Sequence, residues 1–312
     1  MKVLHSLNEY KNIKSTTVTI GSFDGVHKGH QKVLRQLQSI AKQSDTQSVV
    51  ISFVPHPRIF FDPNTALKML NTTDEKIALL EKQGLDYLIL QTFDKNFASK
   101  NPDDFIKEMV STLKMKHILM GYDHSFGKNA EGNYELVSRL SKKYNYETHL
   151  IEEAKIDDIK LSSTAVREAL LAGNIEKANR ILAYPYALTG LVVKGNQLGR
   201  TIGFPTANIE VSDKYKLFPK QGVYVVSALV AGQSVYGMIN LGMRPTVDGK
   251  KMVIEVYLFN FNQDIYHKTI RIAFLKRLRD EQKFPSVEAL KMQLIKDEAT
   301  SKKYIESIVK QD

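Results

Sequence analysis

The 312-residue chain contains no cysteine, which excludes a disulfide-stapled scaffold and leaves histidines and carboxylates as the only side chains for a zinc site. No apolar run approaches the ~18 to 20 residues that span a bilayer, and the opening Met1-Lys2-Val3-Leu4-His5 lacks a signal-peptide layout. We therefore expect no membrane partner and a cytoplasmic location. Internal repeats, low-complexity stretches and polybasic tails are missing as well. The formal charge of +10 divides into +3 over residues 1–183 (25 basic, 22 acidic) and +7 over residues 184–312 (19 basic, 12 acidic), with both signs interspersed. Such a diffuse field suits small phosphorylated ligands and argues against nucleic acid as a partner. What remains is an ordinary globular composition, 43% hydrophobic and 25% charged, long enough for two domains.

Two patterns follow one another along the chain. Up to about residue 183, β-type runs (Thr16–Ile20, Ser48–Phe53, Tyr87–Leu90, Ile118–Met120, Glu147–Ile151) alternate with helical spacing near 30–43, 73–83, 102–113 and 131–143. That alternation implies a doubly wound parallel sheet. Thr72-Thr73-Asp74-Glu75 has capping-box spacing, and Pro102 suits a first helical turn. Beyond Ile181-Leu182-Ala183-Tyr184-Pro185, strand-like runs succeed one another without helices: Ala187–Val193, Gly222–Val230, Ser234–Asn240, Met252–Phe259 and Lys268–Phe274. They read as an antiparallel barrel or sandwich, closed by an amphipathic helix from Ser286 to Val309. The fold class is thus α/β plus all-β, with domains at 1–183 and 184–312.

Residues 20 to 30, Ile-Gly-Ser-Phe-Asp-Gly-Val-His-Lys-Gly-His, carry the densest chemistry. His27 and His30 sit where a β-branched strand hands over to a helix, with Gly21, Gly25 and Gly29 to turn the chain. Ligands collect at the carboxyl ends of parallel strands, and a helix N-terminus offers N–H groups and a favourable dipole to anions. The spacing is not the H-E-x-x-H of zinc peptidases. Two imidazoles that donate to phosphate oxygens and balance charge on a leaving group are the stronger reading, metal binding the weaker.

The Gly-Ser-Phe-Asp-Gly-Val-His-x-Gly-His string resembles the HxGH signature of nucleotidylyltransferases, specifically the adenylyltransferase half of bacterial bifunctional riboflavin kinase/FAD synthetases. Phe53-Val54-Pro55-His56-Pro57-Arg58, Gly121-Tyr122-Asp123-His124-Ser125-Phe126-Gly127 and Leu161-Ser162-Ser163-Thr164-Ala165-Val166-Arg167 resemble further motifs of that family, in its order. In the second half, Gly195-Asn196-Gln197-Leu198-Gly199-Arg200-Thr201-Ile202-Gly203-Phe204-Pro205-Thr206-Ala207-Asn208 is no Walker loop, since no Gly-Lys-Ser/Thr follows, but it resembles the riboflavin kinase signature. Asn240–Thr246 and Lys276–Phe284 are similar to that kinase's later segments.

The resemblance implies a parallel-sheet adenylyltransferase domain and a β-barrel kinase domain with a terminal helix. Riboflavin and ATP would give FMN, and FMN and ATP would give FAD and pyrophosphate, both with Mg²⁺. By the same resemblance, ATP at the first site would meet Gly21, Phe23, Asp24, Gly25, His27, His30, Asp123, Ser162, Ser163 and Arg167. Asp24 is also a turn former, and Ser162 or Ser163 a helix cap. The family often has Asn where Asp123 stands. A flavin would lie against Phe53 and Phe60 or Phe61, beside a loop stiffened by Pro55 and Pro57 around His56. At the second site the resemblance gives ATP to Gly195, Gly199, Arg200 and Thr206, Mg²⁺ to Thr206 and Asn208, the flavin to Asn240, Arg277 and Arg279, and the base to Glu255. Glu255 is the single acid in Val253-Ile254-Glu255-Val256-Tyr257, and strand alternation also allows it to face solvent. HxGH alone does not choose the acceptor, so adenylylation of another phosphate ester and a flavin-responsive nucleic-acid binder with vestigial sites remain open. Oligomeric state is not encoded in these motifs.

Overall fold

The structure is a computed structural model that describes the chain except residues 122–124, 128–130, 152–154, 157–158, 196–197, 231, 247–248 and 311–312. It divides into two compact units, Met1–Ser163 and Thr164–Asp312.

In the first unit the strands are β1 (Lys2–Leu4), β2 (Thr16–Ile20), β3 (Gln47–Val54), β4 (Tyr87–Thr92), β5 (Met115–Gly121) and β6 (Glu147–Ile151). They form one parallel sheet in the order β1-β4-β3-β2-β5-β6. Helices α1 (Lys28–Gln43), α2 (Pro57–Phe61), α3 (Thr73–Glu81), α4 (Lys95–Ala98), α5 (Pro102–Leu113) and α6 (Tyr134–Tyr144) connect them, and a short ladder, β7 (Lys155–Ile156) with β8 (Ile159–Lys160), follows. All five residues of β2 are buried, as a doubly covered strand requires. The order reverses at β2, with β3 and β4 on one side and β5 and β6 on the other. That reversal is where open α/β sheets bind ligands, beyond the carboxyl ends of the strands. Leu34, Leu37 and Ala41 hold α1 to the sheet through one buried stripe. Truncating either leucine to alanine would cost about 2–5 kcal/mol.

The local end signals behave as expected. Thr72 and Glu75 complete a reciprocal capping box on α3, and Pro102 occupies the first turn of α5, capped by Asn101. Helix α6 starts at Tyr134 rather than near 131, because Asn133 caps it by accepting from the Leu136 N–H.

The second unit opens with most of α7 (Ser163–Ala172) and with α8 (Ile175–Leu182). Lys220 donates its N–H to the Leu170 carbonyl, and the Asn179 carboxamide joins the Phe274 carbonyl to the Tyr186 N–H. Those bonds tie α7 and α8 to the all-β part, so the division falls before the change of pattern at residue 183. Strands β9 (Ala187–Val193), β10 (Ala207–Glu210), β11 (Gly222–Val230), β12 (Gln233–Thr246), β13 (Gly249–Leu258) and β14 (Thr269–Arg279) close an antiparallel barrel, β10-β13-β12-β11-β14-β9, with β9 pairing back onto β10. A short helix, α9 (Leu198–Thr201), lies between β9 and β10, and α10 (Val287–Val309) follows β14, capped by Ser286 as expected. Leu290, Leu294 and Ile305 of α10 pack on Phe204, Met238, Tyr236, Tyr257 and Phe259, outside the barrel wall.

Candidate active sites

At the end of β2 the chain turns through unusual backbone. Phe23 (φ 48°), Gly25 (φ 83°) and Val26 (φ 35°) are all left-handed, a conformation costly for a β-branched residue and held only where its surroundings over-determine it. Here they do. The Asp24 carboxylate, 1% exposed, accepts from the N–H groups of Leu70 (2.9 Å) and Asn71 (3.2 Å), and the Gly25 N–H donates to Asn71 Oδ1 at 2.8 Å. Gln31 reaches back to the Val26 carbonyl at 2.9 Å. The Ser163 hydroxyl donates to the Asp24 carbonyl at 2.8 Å, so Ser163 is the first residue of α7 and its side chain braces the turn. Ser162 immediately precedes it.

This braced turn sets the histidines. His27 is the N-cap of α1, its Nδ1 accepting from the His30 N–H at 3.3 Å, so its ring proton sits on Nε2. The two rings stack with centroids 3.7 Å apart and planes inclined by 20°, and Phe23 lies 5.1 Å from His30. A Cβ on Gly29 would come within 3.0 Å of the His27 ring and of the Leu161 carbonyl, and one on Gly21 within 3.0 Å of the Phe23 ring. Glycine at 29 is therefore what allows the 161–163 segment to lie against the start of α1. Beneath the turn Lys76 is 4% exposed and donates to Ser52 Oγ at 3.3 Å. Burial holds its pKa below the usual lysine value, partly offset by the Asp24 carboxylate. Asn71 and Lys76 carry no signal in the sequence, since a lysine in a first helical turn reads as surface.

A train of rings borders β3 and β4. Phe53 is 8% exposed and contacts Phe93 and Phe97, whereas Phe61, at the end of α2, is 69% exposed and stands edge-on to Phe60 and Phe93. His56 caps α2 by accepting from the Arg58 N–H. Asp123 lies outside the described residues. Arg167 stands one turn beyond Ser163 on α7, partly buried, in the second unit.

The barrel builds its centre by register. Asn208 of β10 is opposite Glu255 of β13, which is opposite Asn240 of β12. The row continues through Val223 of β11 to Arg279 of β14. Alternation sends Ile254, Val256 and Leu258 into the buried interior and Glu255 with Tyr257 to the outer wall. There α10 and residues 281–284 roof a cavity of about 320 Å³, whose lining includes Thr206, Asn240, Glu255, Tyr257, Arg279 and Phe284. The Glu255 carboxylate thus meets a covered, largely apolar chamber rather than open solvent.

Arg279 fastens that roof. Its guanidinium grips Asp297 of α10, 5% exposed, at 2.8 Å and 3.0 Å, and the Gln293 amide adds a bond to the same carboxylate. Arg277 is not part of the cavity lining; it bonds the Gln221 carbonyl (2.8 Å), Asp280 (2.7 Å) and the Tyr224 hydroxyl (3.4 Å). A contact with a bound flavin, expected from the sequence, would need these bonds to be exchanged.

A second cavity of about 310 Å³ is lined by Arg200, Pro205, Thr206, Ala207, Val256 and residues 261–266. Thr206 belongs to the walls of both chambers. A Cβ on Gly199 would strike the Phe204 carbonyl and approach Thr206 Oγ1, and one on Gly195 would strike the Asn208 carboxamide. Glycine at 195 lets the backbone there approach Asn208 closely, and glycine at 199 does the same toward Phe204 and Thr206.

Fold and centres together define a two-unit transferase that handles nucleotides, one centre on a parallel-sheet switch point and one on a barrel wall. Family models described as FAD synthetase and riboflavin kinase match residues 9–165 and 182–305. A bifunctional riboflavin kinase/FMN adenylyltransferase of Haemophilus influenzae is 38% identical over 309 residues, covering 97% of this chain and 98% of the relative. That of Escherichia coli K12 is 35% identical over 303 residues, 96% of each. A Streptococcus pneumoniae crystal structure, described as a macrolide-efflux protein, has a TM-score of 0.87 at 32% identity over 96% of this chain and 98% of that one. Among the described residues no helix is long and apolar enough to cross a membrane. The chain belongs to the family of bifunctional riboflavin kinase/FMN adenylyltransferases.

Proposed function

We propose that the barrel phosphorylates riboflavin and the parallel-sheet unit adenylylates the FMN so made, with the residues divided as follows. In the barrel, ATP occupies the chamber of Arg200 and residues 261–266, and the isoalloxazine occupies the chamber of Asn240, Tyr257, Arg279 and Phe284. The observation that carries this reading is the shared wall at Thr206, with Glu255 facing the flavin side only. The terminal ribityl hydroxyl attacks the γ-phosphorus, its proton passes to Glu255, and the bond to the β-phosphate oxygen breaks to release ADP. Glu255 then returns the proton to solvent.

In the first unit, the N–H groups at the start of α1 and the imidazoles of His27 and His30 hold the ATP phosphates, with Ser162, Ser163 and the glycine turn around them. A phosphate oxygen of FMN attacks the α-phosphorus in line and pyrophosphate departs. The His27 Nε2–H and the His30 ring donate to the oxygens on which charge builds. Asp24 serves by fixing the turn, and Phe61 and Phe60 offer the exposed flat wall an isoalloxazine needs. Arg167 is assigned to phosphate on the strength of its motif.

Mg²⁺ accompanies ATP in this scheme. The Thr206 hydroxyl and the Asn208 carboxamide are hard oxygen donors brought close to glycine backbone, which fits an ion that takes one or two protein oxygens and completes its shell with phosphate and water. The ion would neutralise the phosphate charge. A cytoplasmic location fits a consumer of ATP.

Chromatography of riboflavin incubated with ATP, Mg²⁺ and the purified chain tests the whole reading. FMN should appear first and FAD after it, and chelation of Mg²⁺ should stop both. Consumption of ATP with another phosphorylated alcohol and none with flavin would overturn it.

A further inference from the structure

Far from the ligand end of the sheet, at the amino ends of β5 and β6, three side chains converge that neither reaction uses. His117 on β5 is directly opposite Glu147 on edge strand β6, and His149 is two residues further along β6, so all three share one face. His117 Nδ1 lies 3.3 Å from His149 Nε2 and 3.4 Å from Glu147 Oε2, and the three donor atoms fall within 4.8 Å of one another. Ligands about 2.0–2.2 Å from a tetrahedral ion stand about 3.3–3.6 Å apart. Two edges of that tetrahedron are therefore already in place. The third is within reach of the Glu147 carboxylate, whose side chain is 72% exposed and can swing toward His149.

We infer that His117, Glu147 and His149 form a binding site for a borderline divalent cation of the zinc class, separate from the Mg²⁺ that travels with ATP. Two imidazoles and one carboxylate select Zn²⁺, Co²⁺, Ni²⁺ or Cu²⁺ over Mg²⁺ and Ca²⁺, which prefer all-oxygen shells. Three protein ligands leave a fourth position for water. Beside it opens a polar recess of about 360 Å³, lined by His117 and Glu147 together with Ser15, Asp45, Thr46 and Lys116. A bound ion would clip the edge strand to its neighbour and stabilise the sheet by mass action.

The test is a titration of the full chain with Zn²⁺, and with Co²⁺ for its visible absorption at low coordination number, in excess Mg²⁺. Calorimetry gives the stoichiometry, and thermal unfolding is followed with and without metal. The wild type should hold one equivalent that survives His30→Ala, raise its melting temperature with Zn²⁺, and give the stronger cobalt bands of a four- or five-coordinate site. Loss of a direct ligand should cost at least as much as the roughly 10–100-fold typical of outer-sphere partners, so His149→Gln should weaken binding by about 100-fold or more and Glu147→Gln by at least about tenfold. Both variants should keep FMN adenylylation with Mg²⁺. Glu147 is exposed, so its variant tests the site without threatening the fold. No binding by the wild type, loss of the equivalent in His30→Ala, or unchanged binding in both His149→Gln and Glu147→Gln would overturn the inference.

Discussion

The two candidate centres collect their polar groups by opposite routes. At the end of β2, ten consecutive residues supply both imidazoles and the glycine turn, and distant segments (Leu70, Asn71, Ser163) only brace that turn from behind. On the barrel wall no two of Asn208, Glu255 and Asn240 are neighbours in sequence, and strand pairing alone sets them in a row. The first centre is a local motif stiffened by the fold; the second comes into being only when the barrel closes. The adenylyl centre should therefore respond most to the motif residues themselves, and the kinase centre also to whatever holds wall and roof together.

Glu255→Gln gives the sharpest separation. It should reduce FMN formation from riboflavin by about 10²–10⁴-fold, the worth of a positioned general base, and leave FAD formation from supplied FMN intact. His30→Ala should lower FAD formation by about 10²–10³-fold, as loss of a transition-state donor does, with FMN formation unchanged. Initial rates of each half-reaction check both, and one substitution abolishing both activities in a folded chain would break the comparison. Arg279→Ala addresses the roof. It strands Asp297, almost fully buried, without its cation, so the barrel should lose about 3 kcal/mol in urea unfolding. The KM for riboflavin should rise while that for ATP stays.

The smallest effect concerns Lys76. Burial depresses its pKa in the folded chain, whereas the unfolded chain keeps the value near 10.5. Between those two values the unfolded state binds more protons, so stability rises with pH there, and below the folded-state value the handicap is constant. Lys76→Met should remove this slope. Urea midpoints measured from neutral pH toward 10.5 should show the wild type gaining on the variant, and a flat difference would assign the slope to another group.

Where signals are local, the sequence was legible: β2, the start of α1, the Thr72–Glu75 capping box and the Ser286 cap all lie within a few residues of their cause. Strands β1 and β10 escaped, being only three and four residues long. Barrel and sandwich could not be told apart because the deciding pair, β9 with β10, is a matter of closure. The second site was legible mainly by family resemblance. Periodicity shows that Glu255 faces away from Ile254 and Val256, but whether that face is wet depends on α10, more than thirty residues later. Ser163 resembles a helix cap in sequence, yet its hydroxyl goes to Asp24, 139 positions away.

Because Glu255 sits in a run that alternates strictly, slipping β13 by one residue would swap its two faces. A chain misthreaded in that way would bury a carboxylate where Ile254, Val256 and Leu258 now pack and present Ile254 to the vitamin. It could keep most of its β-type circular dichroism and still turn over nothing. Turnover of riboflavin is thus a stricter quality check on refolded material than any spectrum of the backbone.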